Sequence, residues 1–278
     1  MSSLASQICP ALRAFFHGKT ALYLAIFSLF LMCIAPAQAK RVELPQLNIL
    51  ADPAISIPLS VIARHYGRSH AVVLNLSFAS TADQTSRITQ GMEADLFITT
   101  REKTIKFLQN QGVVDVYSEV AIAKGRLVLA TRADNPISLT LIQGLPLRNL
   151  LAGRDPEFSL IMHDPEYLAA GSFAMEALRS YGLDGEMEPH FLFLQSMMDV
   201  QKVLEQRGMY GIVLHSEVIS NPLLRIIDTF PENAHSPLLY RGVVVASEQM
   251  DASRSFLDYL RTPPAQAIFR SYGFFAVE

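Results

Sequence analysis

Short apolar runs alternate with segments of helical periodicity along the chain beyond residue 45. The runs that predict β-strands lie at 47–51, 71–79, 94–99 and 125–131. The segments that predict helices lie at 56–67, 81–91 and 101–112, each with a glycine at its expected end. A repeated strand–helix alternation predicts a mostly parallel sheet covered by helices.

A second set of elements follows the same alternation. The predicted strands lie at 158–162, 190–195, 210–214 and 238–246. The predicted helices lie at 171–182, 197–208, 252–260 and 264–272. Two such sets predict an α/β fold with two lobes. A ligand is expected between them, because α/β sheets bind ligands beyond the carboxyl ends of their strands.

The first 39 residues have the pattern of a secretory signal. Arg13 and Lys19 precede an apolar run at 21–35, and Ala37-Gln38-Ala39 forms a small-x-small cleavage site. The run is shorter than the roughly 20 residues that span a bilayer. Residues 1–39 are therefore predicted to be a signal peptide that directs the protein to the periplasm, with a retained membrane anchor as the alternative.

Cleavage after Ala39 changes the charge and the cysteine content. The full chain carries a formal charge of −3, and cleavage removes Arg13 and Lys19 but no acidic residue, so the net charge becomes more negative. An acidic domain without a basic run is a poor candidate for nucleic-acid binding. Cys9 and Cys33 are both lost, so the exported domain has no internal disulfide.

Several predicted helices begin at small or hydroxyl residues: Ser80-Thr81, Ala169–Ser172 and Gln195–Met197. A helix N-terminus has free N–H donors and about half a positive charge. Converging N-termini without bulky side chains can bind an anion without lysine or arginine. The alternative is that the hydroxyl side chains cap their own helices.

Four segments resemble the periplasmic molybdate-binding proteins. The segment "HDPEYLAAGSFAMEALRSYGL" at 163–183 is similar to that family's Gly-Asp-Pro-Glu motif and the helix after it. "SFAST" at 77–81 followed by "ADLFIT" at 94–99 is similar to two further stretches of the family. "TPPAQAIFRSYGF" at 262–274 resembles its C-terminal end, a motif shared with many solute-binding proteins.

The resemblance implies a two-lobed solute-binding fold of type II, with a mixed, mostly parallel sheet in each lobe. Lobe 1 would comprise 43–124 plus 238–278, and lobe 2 would comprise 125–237. The implied function is capture of a tetrahedral oxyanion, molybdate or tungstate, for the inner-membrane permease of an ABC importer. Neither catalysis nor a cofactor is expected.

The resemblance also indicates ligand-binding positions. In the family, hydroxyl and backbone N–H groups hold the anion. The matching donors here are Ser80, Thr81, Ala170, Gly171 and Met197, the last with an uncertainty of one residue.

Four residues depart from the family pattern. Ala54 stands where the family has a ligand serine, and Leu214 stands where it has a tyrosine. A buried anion loses about 1.5–3 kcal/mol with each such missing hydrogen bond. Asp52 would repel a dianion or cap a helix. Arg101 would pair with Asp52, contact a different anion, or lie in solvent.

The sequence is compatible with other functions. The departures favour, as an alternative, the same fold binding a small carboxylate or zwitterion. A transport-deficient sensory or partner-binding protein is a further alternative, and an exported enzyme comes last because no catalytic motif selects one. Asp164 and Glu166 are expected to organise a turn. Four histidines lack the spacing of metal ligands: His163, His190, His215 and His235.

Overall fold

The computed structural model describes residues 44–154 and 157–277. The predicted signal peptide lies outside the described residues. Two five-stranded sheets form the framework, as the sequence predicts for an α/β fold. The first contains β1 (Gln46–Ala51), β2 (Val73–Phe78), β3 (Leu96–Thr99), β4 (Val120–Lys124) and β10 (Leu239–Val244), in the order β2-β1-β3-β10-β4.

The second sheet has the same plan. It contains β5 (Leu127–Arg132), β6 (Ser159–His163), β7 (Phe191–Leu194), β8 (Met209–Leu214) and β9 (Leu224–Thr229), in the order β7-β6-β8-β5-β9. In each sheet four strands run in one direction. The fifth, β10 or β5, is antiparallel to both of its neighbours. The sheets are therefore mixed and mostly parallel, which confirms the predicted fold class.

Helices cover the sheets. In chain order they are α1 (Ser56–His70), α2 (Thr81–Thr89), α3 (Glu102–Asn110), α4 (Leu147–Ala152), α5 (Ala169–Ser180), α6 (Asp184–Met187), α7 (Met197–Leu204), α8 (His215–Ile219), α9 (Met250–Leu260) and α10 (Pro263–Ser271). Amphipathic spacing explains the packing: in α1, Leu59 and Ile62 are fully buried. No helix in the described part of the chain is long and apolar enough to cross a membrane.

The chain passes between the sheets twice. It leaves β4 at Lys124 and enters β5 at Leu127, and it returns between β9 and β10. The two crossings are hydrogen-bonded to each other, since Gly125 N donates to Leu238 O at 2.9 Å. A Cβ at Gly125 would lie 2.3 Å from Leu238 Cδ2, so glycine permits this close approach. The lobe limits 43–124 plus 238–278 and 125–237 stay a prediction.

Of the three helices for which the sequence predicts a glycine at the end, two end as predicted. Gly91 and Gly112 adopt φ of 78° and 69° just after α2 and α3, the left-handed conformation that glycine favours. The sequence predicts that α1 ends at Gly67, but this prediction is wrong, because the helix continues to His70. Ala71, with φ 49°, caps it instead.

Candidate ligand-binding site between the sheets

Several candidate residues lie at the carboxyl ends of strands or just after them. In the first sheet, Asp52 follows β1, Ser80 follows β2 and Arg101 follows β3. In the second, His163 is the last residue of β6 and Leu214 the last of β8. Because these strands are parallel within each sheet, each group lies at one edge of its sheet, where α/β proteins bind ligands. The space between these two edges is called the cleft below.

Helix α2 begins with two hydroxyl residues that already have partners. Ser80 Oγ accepts a hydrogen bond from Asp83 N at 3.2 Å and donates to Asp83 Oδ2 at 2.7 Å. The Thr81 hydroxyl is hydrogen-bonded to that of Thr99 at 3.1 Å. The Ser80 side chain therefore caps its own helix, and ligand contacts of Ser80 and Thr81 stay a prediction.

Helix α5 begins without a side-chain cap, at Ala169-Ala170-Gly171. A Cβ at Gly171 would lie 2.1 Å from His163 O, so only glycine lets the helix approach the end of β6 this closely. The Gly171 N–H donates to Leu168 O at 3.1 Å. The small residues at this N-terminus are thus explained in part by packing; ligand contacts of Ala170 and Gly171 stay a prediction.

Arg101 connects the two lobes. Its Nη2 donates to Ser172 Oγ at 3.0 Å and to Pro165 O at 3.3 Å, both in the second lobe. Its backbone N–H donates to Thr99 Oγ1 at 3.1 Å. Arg101 is only partly exposed, so it does not lie free in solvent. Nor does it form an ion pair with Asp52; its partners are a carbonyl and a hydroxyl instead.

Ala54 and Met197 face the same small cavity from opposite lobes. The cavity measures about 60 Å³ and is also lined by Glu217 and Phe274. The Ala54 N–H is already bonded to Asp52 Oδ1 at 2.9 Å. The structure therefore brings two predicted ligand positions together, although the Ala54 donor is paired with a carboxylate of the same loop.

A buried charge cluster, made of Asp52, His163 and Glu217, lies between the lobes. His163 Nε2 is 2.7 Å from Glu217 Oε1, and Glu217 Oε2 accepts from Leu214 N at 3.1 Å. All three residues are less than a tenth exposed. His163 Nδ1 is buried and forms no hydrogen bond with any residue in the described ranges.

The groups of this cluster shift one another's pKa. Burial raises the pKa of Asp52 despite the Ala54 N–H and the positive charges of His163 and Arg101, and Glu217 raises it further. Burial lowers the pKa of His163, but Glu217 and Asp52 outweigh burial and leave it above its ordinary value. Burial, with the charges of Asp52 and Glu217, raises the pKa of Tyr240 well above 10.

The remaining candidate residues have structural partners. Asp164 Oδ1 accepts from Glu166 N at 2.9 Å, the turn expected of this pair. The other three histidines each bond a backbone carbonyl: His190 that of Phe158, His215 that of Gly273 and His235 that of Ser236. Within 44–154 and 157–277, no group of three potential ligands is placed to hold a metal ion.

Sequence reasoning did not select His163, Glu217 and Tyr240 for the site. A signal for His163 exists, since it replaces the glycine of the Gly-Asp-Pro-Glu motif. Glu217 comes three residues after Leu214, the residue that precedes helix α8. A glutamate at this spacing accepts a hydrogen bond from the backbone N–H of the residue that precedes its helix. Tyr240 lies on a strand from a distant part of the chain, and no local pattern distinguishes it.

Comparison with known proteins identifies the family. The model of the bacterial extracellular solute-binding protein family matches residues 47–275. The molybdate-binding protein ModA of Escherichia coli K12 is 25% identical over 254 residues, which cover 91% of this chain and 97% of the relative.

Solved structures share the fold. The periplasmic molybdate-binding protein of Azotobacter vinelandii superposes with a TM-score of 0.70 at 18% identity, covering 84% of this chain and all of that one. The sulfate-binding protein SubI of Mycobacterium tuberculosis H37Rv superposes with a TM-score of 0.65 at 19% identity, covering 84% and 88%. Proteins with different named ligands thus share this architecture.

Proposed function

Because the chain belongs to the bacterial extracellular solute-binding protein family, we propose that it captures a tetrahedral oxyanion, with molybdate or tungstate as the first candidates. The protein is a solute-binding protein of the ABC-transporter type. Its proposed place is the periplasm, and its proposed partner is the permease of an inner-membrane importer. The resemblance of residues 1–39 to a signal peptide supports this location.

The observation that carries the proposal is the position of Arg101. Its guanidinium group lies beside the N-terminus of α5, where Ser172 Oγ is 3.0 Å away. A helix N-terminus is partially positive, so a cation there is unfavourable on its own. An anion bound in the cleft would interact favourably with both groups and would hold the lobes together.

The buried carboxylates favour a second candidate ligand. Asp52 and Glu217 repel a dianion, whereas they attract N–H or O–H groups. A small carboxylate or zwitterion would place its negative group near Arg101 and its donor near Asp52. This is the same solute-binding function with a different ligand class.

A thermal-shift panel distinguishes these candidates. The purified protein is heated with molybdate, tungstate, sulfate, phosphate, small carboxylates and amino acids. A ligand at 100 times its Kd adds about 2.7 kcal/mol of stability. At about 2–4 °C per kcal/mol for a domain of this size, the expected rise in Tm is at least about 5 °C.

Stabilisation by molybdate and tungstate supports the oxyanion proposal. Stabilisation only by carboxylates or amino acids replaces it with the second candidate. A flat response to the whole panel contradicts both proposals.

A further inference from the structure

The carboxylate of Asp52 is only partly satisfied by the protein. The side chain is 7% exposed and its Oδ1 accepts from Ala54 N at 2.9 Å. No residue in the described part of the chain donates a hydrogen bond to Oδ2. A buried carboxylate with a free oxygen is unfavourable when ionised.

Four elements contribute charged or titratable groups near Asp52. Arg101 faces it from the start of α3, His163 from β6 and Glu217 from α8. Tyr240 faces it from β10. Two of these groups carry or can carry positive charge, and Glu217 is acidic.

The charge balance becomes unfavourable when an oxyanion is added. With Asp52 and Glu217 ionised, their negative charges offset those of Arg101 and protonated His163. A dianion in the closed cleft would then be an uncompensated buried charge. Removing the charge of Asp52 reduces this imbalance and creates an O–H donor in the loop where Ala54 replaces the expected serine.

We propose that Asp52 takes up one proton from solvent when the cleft binds an oxyanion, and that its neutral carboxyl group donates a hydrogen bond to the ligand. Asp52 thereby replaces the missing serine hydroxyl. This inference rests on the proposed oxyanion function and makes that function proton-coupled.

Coupling of this kind has a measurable consequence. Linkage is reciprocal, so a ligand that favours protonated Asp52 binds more tightly as the pH falls. Where Asp52 of the free protein is ionised, the affinity for the anion rises by up to about tenfold for each unit by which the pH falls. Burial raises the pKa of Asp52. Protonation of this carboxylate at neutral pH therefore costs less free energy than protonation of an exposed aspartate.

Isothermal titration calorimetry with sodium molybdate and sodium sulfate tests the inference directly. Both are fully deprotonated dianions between pH 6 and 8, so any proton taken up on binding protonates a group of the protein. Titrations in two buffers of different ionisation enthalpy give the number of protons per bound anion. We expect about one for the wild-type protein, with affinity increasing as the pH falls.

The variant Asp52→Asn should remove the proton uptake and make affinity independent of pH. Asp52→Ser, which introduces a neutral hydroxyl, should also bind without proton uptake and with an affinity independent of pH. It provides a second test if Asp52→Asn folds poorly. Asp95→Asn is the matched control. Asp95 is also a buried aspartate, but it precedes β3 at the opposite end and bonds Asn48 N and Ser247 Oγ. This control should retain the wild-type coupling.

Two results would overturn the inference while leaving the proposed function intact: anion binding without proton uptake, or uptake that persists in both Asp52 variants. The second would assign the proton to another group, such as His163. Failure of both anions to bind at any pH from 6 to 8 would overturn the oxyanion function together with this inference.

Discussion

Replacing His163 by leucine should destabilise the protein more than any surface substitution. His163 and Glu217 are 2.7 Å apart, and their side chains are 1% and 2% exposed. Without His163, Glu217 keeps the N–H of Leu214 as its hydrogen-bond donor. Removing one partner of a buried ion pair costs about 3–5 kcal/mol, because the other charge stays buried without compensation. We expect His163→Leu to lower the free energy of unfolding by about that amount.

A double-mutant cycle separates the ion pair from the packing of the two side chains. In His163→Leu with Glu217→Gln, residue 217 no longer carries an uncompensated charge, so the double variant should be more stable than the sum of the single losses predicts. The coupling energy should be about 1–3 kcal/mol. The exposed pair Lys106–Glu102, with side chains 64% and 47% exposed, is the control. Lys106→Ala should cost no more than about 0.5 kcal/mol.

Urea unfolding followed by far-ultraviolet circular dichroism gives these free energies by linear extrapolation. The chain contains no tryptophan, so tryptophan fluorescence cannot report unfolding and circular dichroism is used instead. The pKa of His163 is raised, so its stabilising effect is complete below about pH 6.5 and is lost as the pH rises through the raised value. Measurements at pH 6 should therefore show the full coupling. A loss below 1 kcal/mol for His163→Leu, or strict additivity, would refute the reasoning.

Three further predictions concern neighbouring residues. Burial raises the pKa of Asp52 above 3.8, so its contribution to stability is full below that pH and falls as the pH rises through the raised value. Asp52→Asn should therefore raise the ligand-free Tm at pH 7 and have little effect near pH 3.5, and a lower Tm at pH 7 would contradict this. Gly171→Ala should lower the free energy of unfolding by about 1–3 kcal/mol in urea titrations, because its Cβ would lie 2.1 Å from His163 O, whereas Gly185→Ala, with nothing within 4 Å, should not destabilise. Arg101→Ala should weaken oxyanion binding by about 1.5–3 kcal/mol in calorimetry, and an unchanged Kd would show that the guanidinium does not contact the ligand.

The sequence predicts the elements whose periodicity is strong. Every predicted strand and helix beyond residue 45 has a counterpart, with ends that differ by a few residues. The helices α4, α6 and α8 are not predicted, because their four to six residues form fewer than two helical turns and show no periodicity. The strands β4 and β9 are not predicted either. Gly67 is misleading because a glycine inside a helix resembles a glycine that ends one. A Cβ there would lie 2.8 Å from Val72 O, so its role is close packing.

The candidate site is predicted less completely, for a physical reason. Local sequence patterns place Arg101 just after a strand and place the small residues Ala169, Ala170 and Gly171 at the start of a helix. The hydrogen-bond acceptors of the Arg101 guanidinium group, however, lie in the other lobe. The pairing of His163 with Glu217 joins residues 54 positions apart, and no local pattern encodes such a contact. Local sequence therefore indicates where a site lies, whereas tertiary packing decides which charges meet there.

Anomalous X-ray diffraction from crystals grown with tungstate tests the central claim most directly, because tungsten identifies the bound anion and its position. The proposed oxyanion site predicts one strong anomalous peak in the cleft, between the lobe 1 residues Thr81 and Arg101 and the start of α5 in lobe 2. A peak confined to the outer surface, or no peak under conditions that saturate a known tungstate-binding protein, would contradict it.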